Sequence, residues 1–257
     1  MRERLGIHPD IHDHRDFMFD PPDRARRHAP LSVDLRPHCP PVFDQSRLNA
    51  CSANAIASLI WYDEFAAGRL HTSAPSRLFI YYNERAAENL VARNAPVSLR
   101  DGYRSVIRHG VCREERWPYR IERFARRPPP RCYREAKDLR ALSYLRIRRE
   151  ISFMRACLAI GRPFTVAIAV YESFMRPAVR KAGIIPLPRR GERLLGGHAL
   201  LVVGYEQRQR HFIVRNSWGV HWGIAGYAHM PDAYLEHPRL AWDAWMTWRV
   251  GKRRPRA

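Results

Sequence analysis

The sequence predicts an α+β fold, and three observations carry that prediction. Residues 51–67 hold apolar side chains at helical spacing, and the second half of the chain breaks into short apolar runs bounded by turn residues. The chain has 257 residues, 46% of them hydrophobic, enough to bury one large core or two modest ones. Helices first and strands afterwards favour α+β, or two subdomains, over an alternating α/β order. No run of 18 apolar residues exists, so no transmembrane span is expected. The opening MRERLGIHPDIHDHRDF is charged and lacks an apolar stretch. It reads as no secretory signal peptide, and a cytoplasmic location, or export without a recognisable signal, is expected.

Taken in order, residues 1–33 are polar, with Pro21, Pro22 and Pro30 as breakers, and read as a pro-like segment or arm. Leu5, Ile7, Ile11, Phe17, Met18 and Phe19 give it apolar side chains with which to dock. Two readings stand: an arm that wraps and stabilises the fold, or a segment that crosses a groove and blocks it. The domain proper is expected over 34–250, with a basic tail at 251–257. A helix runs from Cys51 to Ala67, with Asn49 as the best capping side chain and Gly68 as its stop. Further helices are expected within 76–92 and 101–109. Residues 118–133, with Pro118 and Pro128 to Pro130, read mostly as loop. Cys157 sits in an amphipathic helical run. FTVAIAV (164–170), HALLVVGY (198–205), HFIVRN (211–216) and GYAHM (226–230) read as antiparallel strands.

Lys and Arg number 45 against 25 Asp and Glu, a net charge of +20, and lysine occurs only at 137, 181 and 252. The arginines are spread along the chain, with short clusters such as Arg126-Arg127, Arg148-Arg149 and Arg189-Arg190. No nucleic-acid-binding module accompanies them, so no specific nucleic-acid partner is expected. The excess reads either as a solvated basic surface or as a site for an anionic small ligand such as a nucleotide. His8, His12 and His14 alternate with Asp, but no further ligand follows at zinc-finger spacing, and neither a metal nor a cofactor is expected. Cys39, Cys112, Cys132 and Cys157 belong to no motif, and the sequence leaves open whether any pair bridges. A monomer is expected.

Cys51 begins the first buried helix, where free backbone N–H groups and the helix dipole favour a thiolate. A lone cysteine there also reads as a small buried apolar residue. Its company favours the chemical reading. Gln45 lies in the loop before the helix, His198 follows Gly196-Gly197 at the start of a strand, and Asn216 opens NSWG at the end of another. A nucleophile, a base and a polar group to hold the base come from separate elements that can converge across a cleft.

These segments, DQSRLNACSANA (44–55), GGHALLVVGY (196–205) and NSWGVHWGIAGY (216–227), resemble the papain family of cysteine peptidases. The last is the most specific. His198 lies within the roughly 130–150 residues that separate these roles in the family, and Asn216 slightly beyond. Leu48 and Ser52 replace the usual Cys and Trp around the nucleophile, so the usual neighbouring disulfide is absent, and the pattern is similar to the prokaryotic branch. The family's long helical propeptide is not legible in residues 1–33. The resemblance implies two lobes, a helical one over about 42–140 and an antiparallel β-barrel one over about 141–250 joined by part of the N-terminal segment, with a peptide or protein substrate between them.

It also implies roles. Cys51 attacks the peptide carbonyl, His198 exchanges the proton, Asn216 orients the imidazole, and Trp218 covers their hydrogen bond. Gln45 donates to the oxyanion. Asp101 and Gly102 stand where the family binds substrate backbone, although a helix cap explains them equally. Ala167 and Ala199 are expected to line an apolar specificity pocket. The implied activity is cysteine endopeptidase. The alternatives are a regulatory protein on this fold that binds an anion with weak or no peptidase activity, and an acyl transferase using the same nucleophile.

Overall fold

The structure, a computed structural model, describes residues 5–11, 13–69 and 72–251, without the side chains of 141, 142 and 249–251. His12 and, apart from Gly251, the expected basic tail lie outside the described residues.

The helices precede most of the sheet. After a short α1 (Asp23–Arg27) and β1 (Ser32–Asp34) come α2 (Cys51–Ala66), α3 (Arg77–Ala87) and α4 (Leu99–His109). Helix α2 buries every residue from Cys51 to Tyr62, as a helix apolar on all sides must. It ends at Gly68, whose φ of 77° suits glycine. Its start departs from the expected cap. The cap position falls on Ala50, without a side-chain hydrogen bond, because Asn49 bonds Asn94 instead: Asn49 N–H to Asn94 Oδ1 at 2.8 Å and Asn49 Nδ2 to Asn94 O at 2.8 Å. Helices α3 and α4 are capped by Ser76 and Ser98. The proline-rich stretch is not all loop. It holds a 3-10 turn at Ile121–Arg123 and α5 (Pro130–Ala136), which starts on a proline, where no N–H is missed.

The rest of the chain contributes β2 (Arg140–Ile147), α6 (Ile151–Ala159), β3 (Phe164–Tyr171), α7 (Pro177–Ala182), β4 (Leu194–Glu206), β5 (His211–Arg215), β6 (Tyr227–Pro231), α8 (Asp232–Glu236) and β7 (Ala241–Gly251). The sheet is antiparallel in the order β2-β7-β3-β4-β5-β6, with β1 joined to β4. Strand β4 pairs with β3 along its first two thirds and with β1 at its end. Gly204 permits the switch, since a Cβ there would stand 2.3 Å from Val33 O.

The fold is therefore α+β, but the sheet does not close into the expected barrel, because β2 and β6 do not pair. Other segments satisfy these two edges. Phe19 N–H bonds Arg146 O at 2.7 Å and Arg146 N–H bonds Phe17 O at 2.8 Å, so the N-terminal arm covers β2. Ile185 N–H bonds His229 O at 2.9 Å beside β6.

Arginine is not only a surface residue here. Arg85 is fully buried and donates to the carbonyls of Tyr81 (3.0 Å), Val91 (2.8 Å), Arg93 (2.7 Å) and Phe124 (2.5 Å). Arg215 holds the carbonyls of Pro40 and Pro41. Arg189 and Arg190 do reach the surface, where with Arg239 and His237 they line a cavity of about 480 Å³. Among the described residues no helix is long and apolar enough to cross a membrane, and no group of three or more His, Cys, Asp or Glu could hold a metal ion. All five cysteines are free, and Cys112 and Cys132 hydrogen-bond each other. Replacing Arg85 by Ala leaves four carbonyls, that of buried Tyr81 among them, without this donor. Urea denaturation is expected to show a loss of roughly 2–5 kcal/mol, and a loss within error of zero would contradict the role given to this side chain.

Candidate active site

The first turn of α2 meets the start of β4, and the polar residues singled out in the sequence gather there. His198 and Asn216 lie on neighbouring segments, joined by His198 Nε2 to Asn216 Oδ1 at 2.7 Å. The backbone N–H of Ser217 donates to the same Oδ1 at 2.8 Å. That atom is thus an acceptor from two sides, which fixes the amide orientation and places the imidazole proton on Nε2. In the neutral ring the lone pair is then on Nδ1, which has no hydrogen-bond partner among the described residues. Trp218 lies 4.8 Å from the His198 ring, centroid to centroid, and is braced edge-on by Phe174 and Trp222.

Cys51 is fully buried, and backbone N–H groups of Ala199, Gly6 and Ser52 point to its sulfur. Ala199 follows His198 on β4, so the strand that carries the imidazole also supports the thiol. Gln45 is held on three sides. Its N–H donates to Ser217 O at 2.8 Å, its Oε1 accepts from Ser217 Oγ at 2.6 Å, and its carbonyl accepts from Tyr119 Oη at 2.9 Å. Its Nε2 donates to Leu48 O at 2.9 Å. Arg77 supports this loop from below. Its guanidinium lies between the rings of Phe43 (4.2 Å) and Tyr119 (4.0 Å), pairs with Glu114 at 2.5 Å and reaches Asp44 O at 3.1 Å.

The structure does not bring Asp101 and Gly102 to this cluster. Both lie in the first turns of α4, where Asp101 N–H bonds the capping Ser98 Oγ at 3.1 Å. Gly102 packs on α2, and a Cβ there would stand 2.5 Å from Ile56 Cδ1. Helical backbone is already hydrogen-bonded and offers nothing to an extended peptide. The extended residue just before the cap, Val97, does. Its carbonyl accepts from His8 N–H at 3.3 Å, and Ile7 forms a parallel bridge with it. Ala167 and Ala199 are buried and paired across β3 and β4, and Ala167 also pairs with Trp242 of β7.

Residues 5–8 occupy the cleft. Gly6 lies over Cys51, and a Cβ on it would stand 2.2 Å from Asn49 Cβ. Leu5 and Ile7 lie against Gly196 and Gly197, where a Cβ would meet Leu5 Cβ at 3.0 Å and Ile7 O at 2.4 Å. Beyond the cleft the arm is latched. Asp10 accepts from Trp245 Nε1 at 2.7 Å and from Arg100 N–H at 3.0 Å, and Asp16 pairs with Arg100 at 2.5 Å and Arg146 at 2.9 Å. Phe19 is buried in the core. The arm both wraps the fold and crosses the groove.

The burial of these two groups has an electrostatic consequence. Burial pushes the Cys51 thiol up to about 11, against the pull of the three backbone N–H groups. Burial likewise pushes the His198 imidazole down to about 4, although the Asn216 hydrogen bond opposes it. In the covered form both groups are neutral between those values.

Fold and site together define a thiol hydrolase of the papain type. The chain belongs to the papain family of cysteine proteases: residues 81–241 match that family's model, a span that includes His198 and Asn216 and begins after Cys51. It is similar to xylellain, a cysteine protease from Xylella fastidiosa, at 36% identity and a TM-score of 0.90, covering 98% of this chain and 97% of that one. A peptidase C1-like protein of Acanthamoeba polyphaga mimivirus, L477, is 38% identical over 212 residues, 79% of this chain and 68% of that protein. Cathepsin K of Gallus gallus is 27% identical over 80% of this chain and 60% of its own length.

Sequence reasoning missed the supports. Ser217 was visible inside NSWG without a role, and Arg77 and Tyr119 carry no motif. The Gly6 position is legible only once the arm is known to lie on Cys51. With the thiol buried and protonated, iodoacetamide is expected to label Cys51 slowly at neutral pH in the full-length chain. Removal of residues 1–8 should speed labelling about tenfold or more; mass mapping that finds equal rates would show that the arm does not cover the sulfur in solution.

Proposed function

We propose that this chain is a cysteine endopeptidase that acts through Cys51, His198, Asn216 and Gln45, and that residues 5–8 hold it closed. The observation that carries the reading is the fixed orientation of His198. Asn216 Oδ1, itself pinned by Ser217 N–H at 2.8 Å, accepts from Nε2 at 2.7 Å. Only Nδ1 is left to take a proton from a thiol.

With the cleft open, the Cys51 proton passes to Nδ1 and the thiolate adds to the peptide carbonyl carbon. The carbonyl oxygen becomes an oxyanion, to which the Gln45 side chain and the backbone N–H of Cys51 donate. Collapse breaks the C–N bond. The amine leaves with the proton from His198, and a thioester remains on Cys51. Water, deprotonated by His198, then releases the acid and restores the thiol. Trp218 keeps solvent from the His198–Asn216 bond. Ala167, Ala199 and Trp242, with Val97 opposite, form an apolar wall for a substrate side chain beside the scissile bond. An intact set of four polar groups supports an enzyme over a purely regulatory role, because an anion-binding protein needs none of them.

The arm is proposed as an internal inhibitor. Tethered at Asp10 and Asp16, it presents Gly6 at high effective concentration, so weak contacts close the cleft. The domain reading follows: the segment before residue 34 acts as a regulatory arm on the catalytic domain. The latch and Phe19 also stabilise the fold, so the informative truncation is short.

Turnover of a fluorogenic peptide panel with reductant tests the reading. Removing residues 1–8 should raise kcat/KM about tenfold or more with little change in melting temperature. In that background Cys51→Ala should abolish turnover, and Asn216→Ala should retain more activity than His198→Ala, because orientation is lost in the first and the base in the second. Turnover that survives Cys51→Ala would sink the mechanism.

In the full-length chain, Gly6→Val puts a side chain where Asn49 already stands. It is expected to displace the arm and raise activity. Unchanged or lower activity would mean that the arm is only structural.

A further inference from the structure

Bonded to the residue after the nucleophile is a carboxyl group that the mechanism above does not use. Glu84, on α3, is fully buried, and Ser52, the residue after Cys51, donates its hydroxyl to Glu84 Oε1 at 2.8 Å. The other oxygen, Oε2, has no hydrogen-bond partner among the described residues. It lies 2.9 Å from the point where a Cβ on Gly102 would stand, so the glycine of α4 leaves room for the carboxyl. The carboxyl is thus enclosed by α2, α3 and α4.

Among the described residues no cation pairs with it directly. Arg85 is adjacent in sequence, but its guanidinium is committed to the carbonyls of Tyr81, Val91, Arg93 and Phe124. The other titratable groups around it, Asp101 on α4, Glu88 and Tyr81 on α3 and Cys51 on α2, are acidic, and His8 of the arm lies by Glu88 at 3.8 Å. A carboxylate with one neutral donor and no cation is unfavourable in an apolar interior, so the proton stays on Oε2. Burial first, then the charges of Asp101 and Glu88, push Glu84 up to about 8, against the pull of Ser52 and Arg85.

We propose that Ser52 and Glu84 form a positioning pair for the nucleophile: uncharged, Glu84 anchors the first turn of α2 through Ser52, and ionised, it sets a buried negative charge behind the Cys51 sulfur and suppresses the thiolate. The inference rests on Cys51 being the nucleophile. As pH rises through about 8 the Glu84 proton is lost, and the same charge makes the Cys51 thiol harder to ionise. At a given alkaline pH the thiolate fraction is then smaller than it would be beside an uncharged residue 84.

Glu84→Gln keeps the shape and removes the charge at every pH. In full-length protein carrying Gly6→Val to open the cleft, the rate of Cys51 alkylation by iodoacetamide is compared with and without Glu84→Gln. The ratio of the two rates should rise from about one at pH 6 to about threefold or more at pH 9, half a pKa unit or more. Ser52→Ala, a smaller change, should act in the same direction, because the lost hydrogen bond favours the charged carboxyl.

A second readout needs no open cleft. Glu84 is raised from 4.5 to about 8 on folding. Stability tied to its proton is full below about 4.5 and is lost as pH rises through about 8. The melting temperature of Glu84→Gln in the otherwise native full-length chain should therefore gain on wild type between about pH 6 and pH 9. A flat alkylation ratio in folded Glu84→Gln or Ser52→Ala overturns the positioning role. Absent turnover with a responsive alkylation profile would instead fault the peptidase reading.

Discussion

Ser217 uses its carbonyl and hydroxyl to join two segments that are far apart in sequence, and its N–H to fix its neighbour. Its N–H fixes Asn216 Oδ1, its carbonyl accepts from Gln45 N–H, and its hydroxyl holds Gln45 Oε1 across 172 positions. Gly219 N–H to Phe43 O at 3.0 Å and the bridge between Asp44 and Trp218 extend the seam on both sides. The His198-orienting amide and the proposed oxyanion donor are therefore set by one residue. A shift of that seam would move both together, since buried networks of this kind loosen as units. Arg77 and Tyr119 matter for the same reason: they hold the loop on which one half of the seam is carried.

The glycines around the cleft follow from what lies on them. Gly196 and Gly197 precede His198 because Leu5 and Ile7 pass within contact of their α-carbons. Gly6 is itself without a side chain because Asn49 stands where one would go. Glycine on both the arm and β4 lets two backbones approach closely, so the arm can lie directly over the thiol. The arm's hold comes from elsewhere, from Asp10 and Asp16 against Arg100, Arg146 and Trp245. Contact at the cleft and anchoring outside it are separable, which is the arrangement a removable cover needs.

Much of this was legible in the sequence, and the rest has identifiable physical causes. The Cys51 helix, the strands at 164–170 and 198–205 and the cluster of Gln45, Cys51, His198 and Asn216 all have local signatures. Strand β2 had none, because Arg140 and Arg146 interrupt its alternation; Arg146 is tolerated only because Asp16 and Asp243 answer it at 2.9 and 2.5 Å. The barrel was expected from the family resemblance, but edge pairing is a long-range property, and here the arm and residues 184–185 take the edges. Asp101 and Gly102 misled because a spacing match cannot tell a helix's first turn from the extended residue before it. The arginine excess read as surface. Arg77, Arg85 and Arg215 are instead buried and serve backbone carbonyls, a use that depends on loop geometry and leaves no local pattern.

The arm's effect on the cleft is electrostatic as well as steric. A thiolate beside an imidazolium needs solvent or donors around both charges, and residues 5–8 remove the solvent. With Cys51 at about 11 and His198 at about 4, the proton belongs to sulfur throughout the range between. A peptide that slipped past Gly6 without displacing the arm would still meet a neutral thiol, a weak nucleophile. Opening the cleft therefore does two things at once under the proposed mechanism: it admits substrate and lets water stabilise the ion pair. Glu84 is fully buried and bonded to Ser52, the residue after Cys51. Its charge is thus set by pH and by Ser52, and it bears on the same thiol independently of the arm.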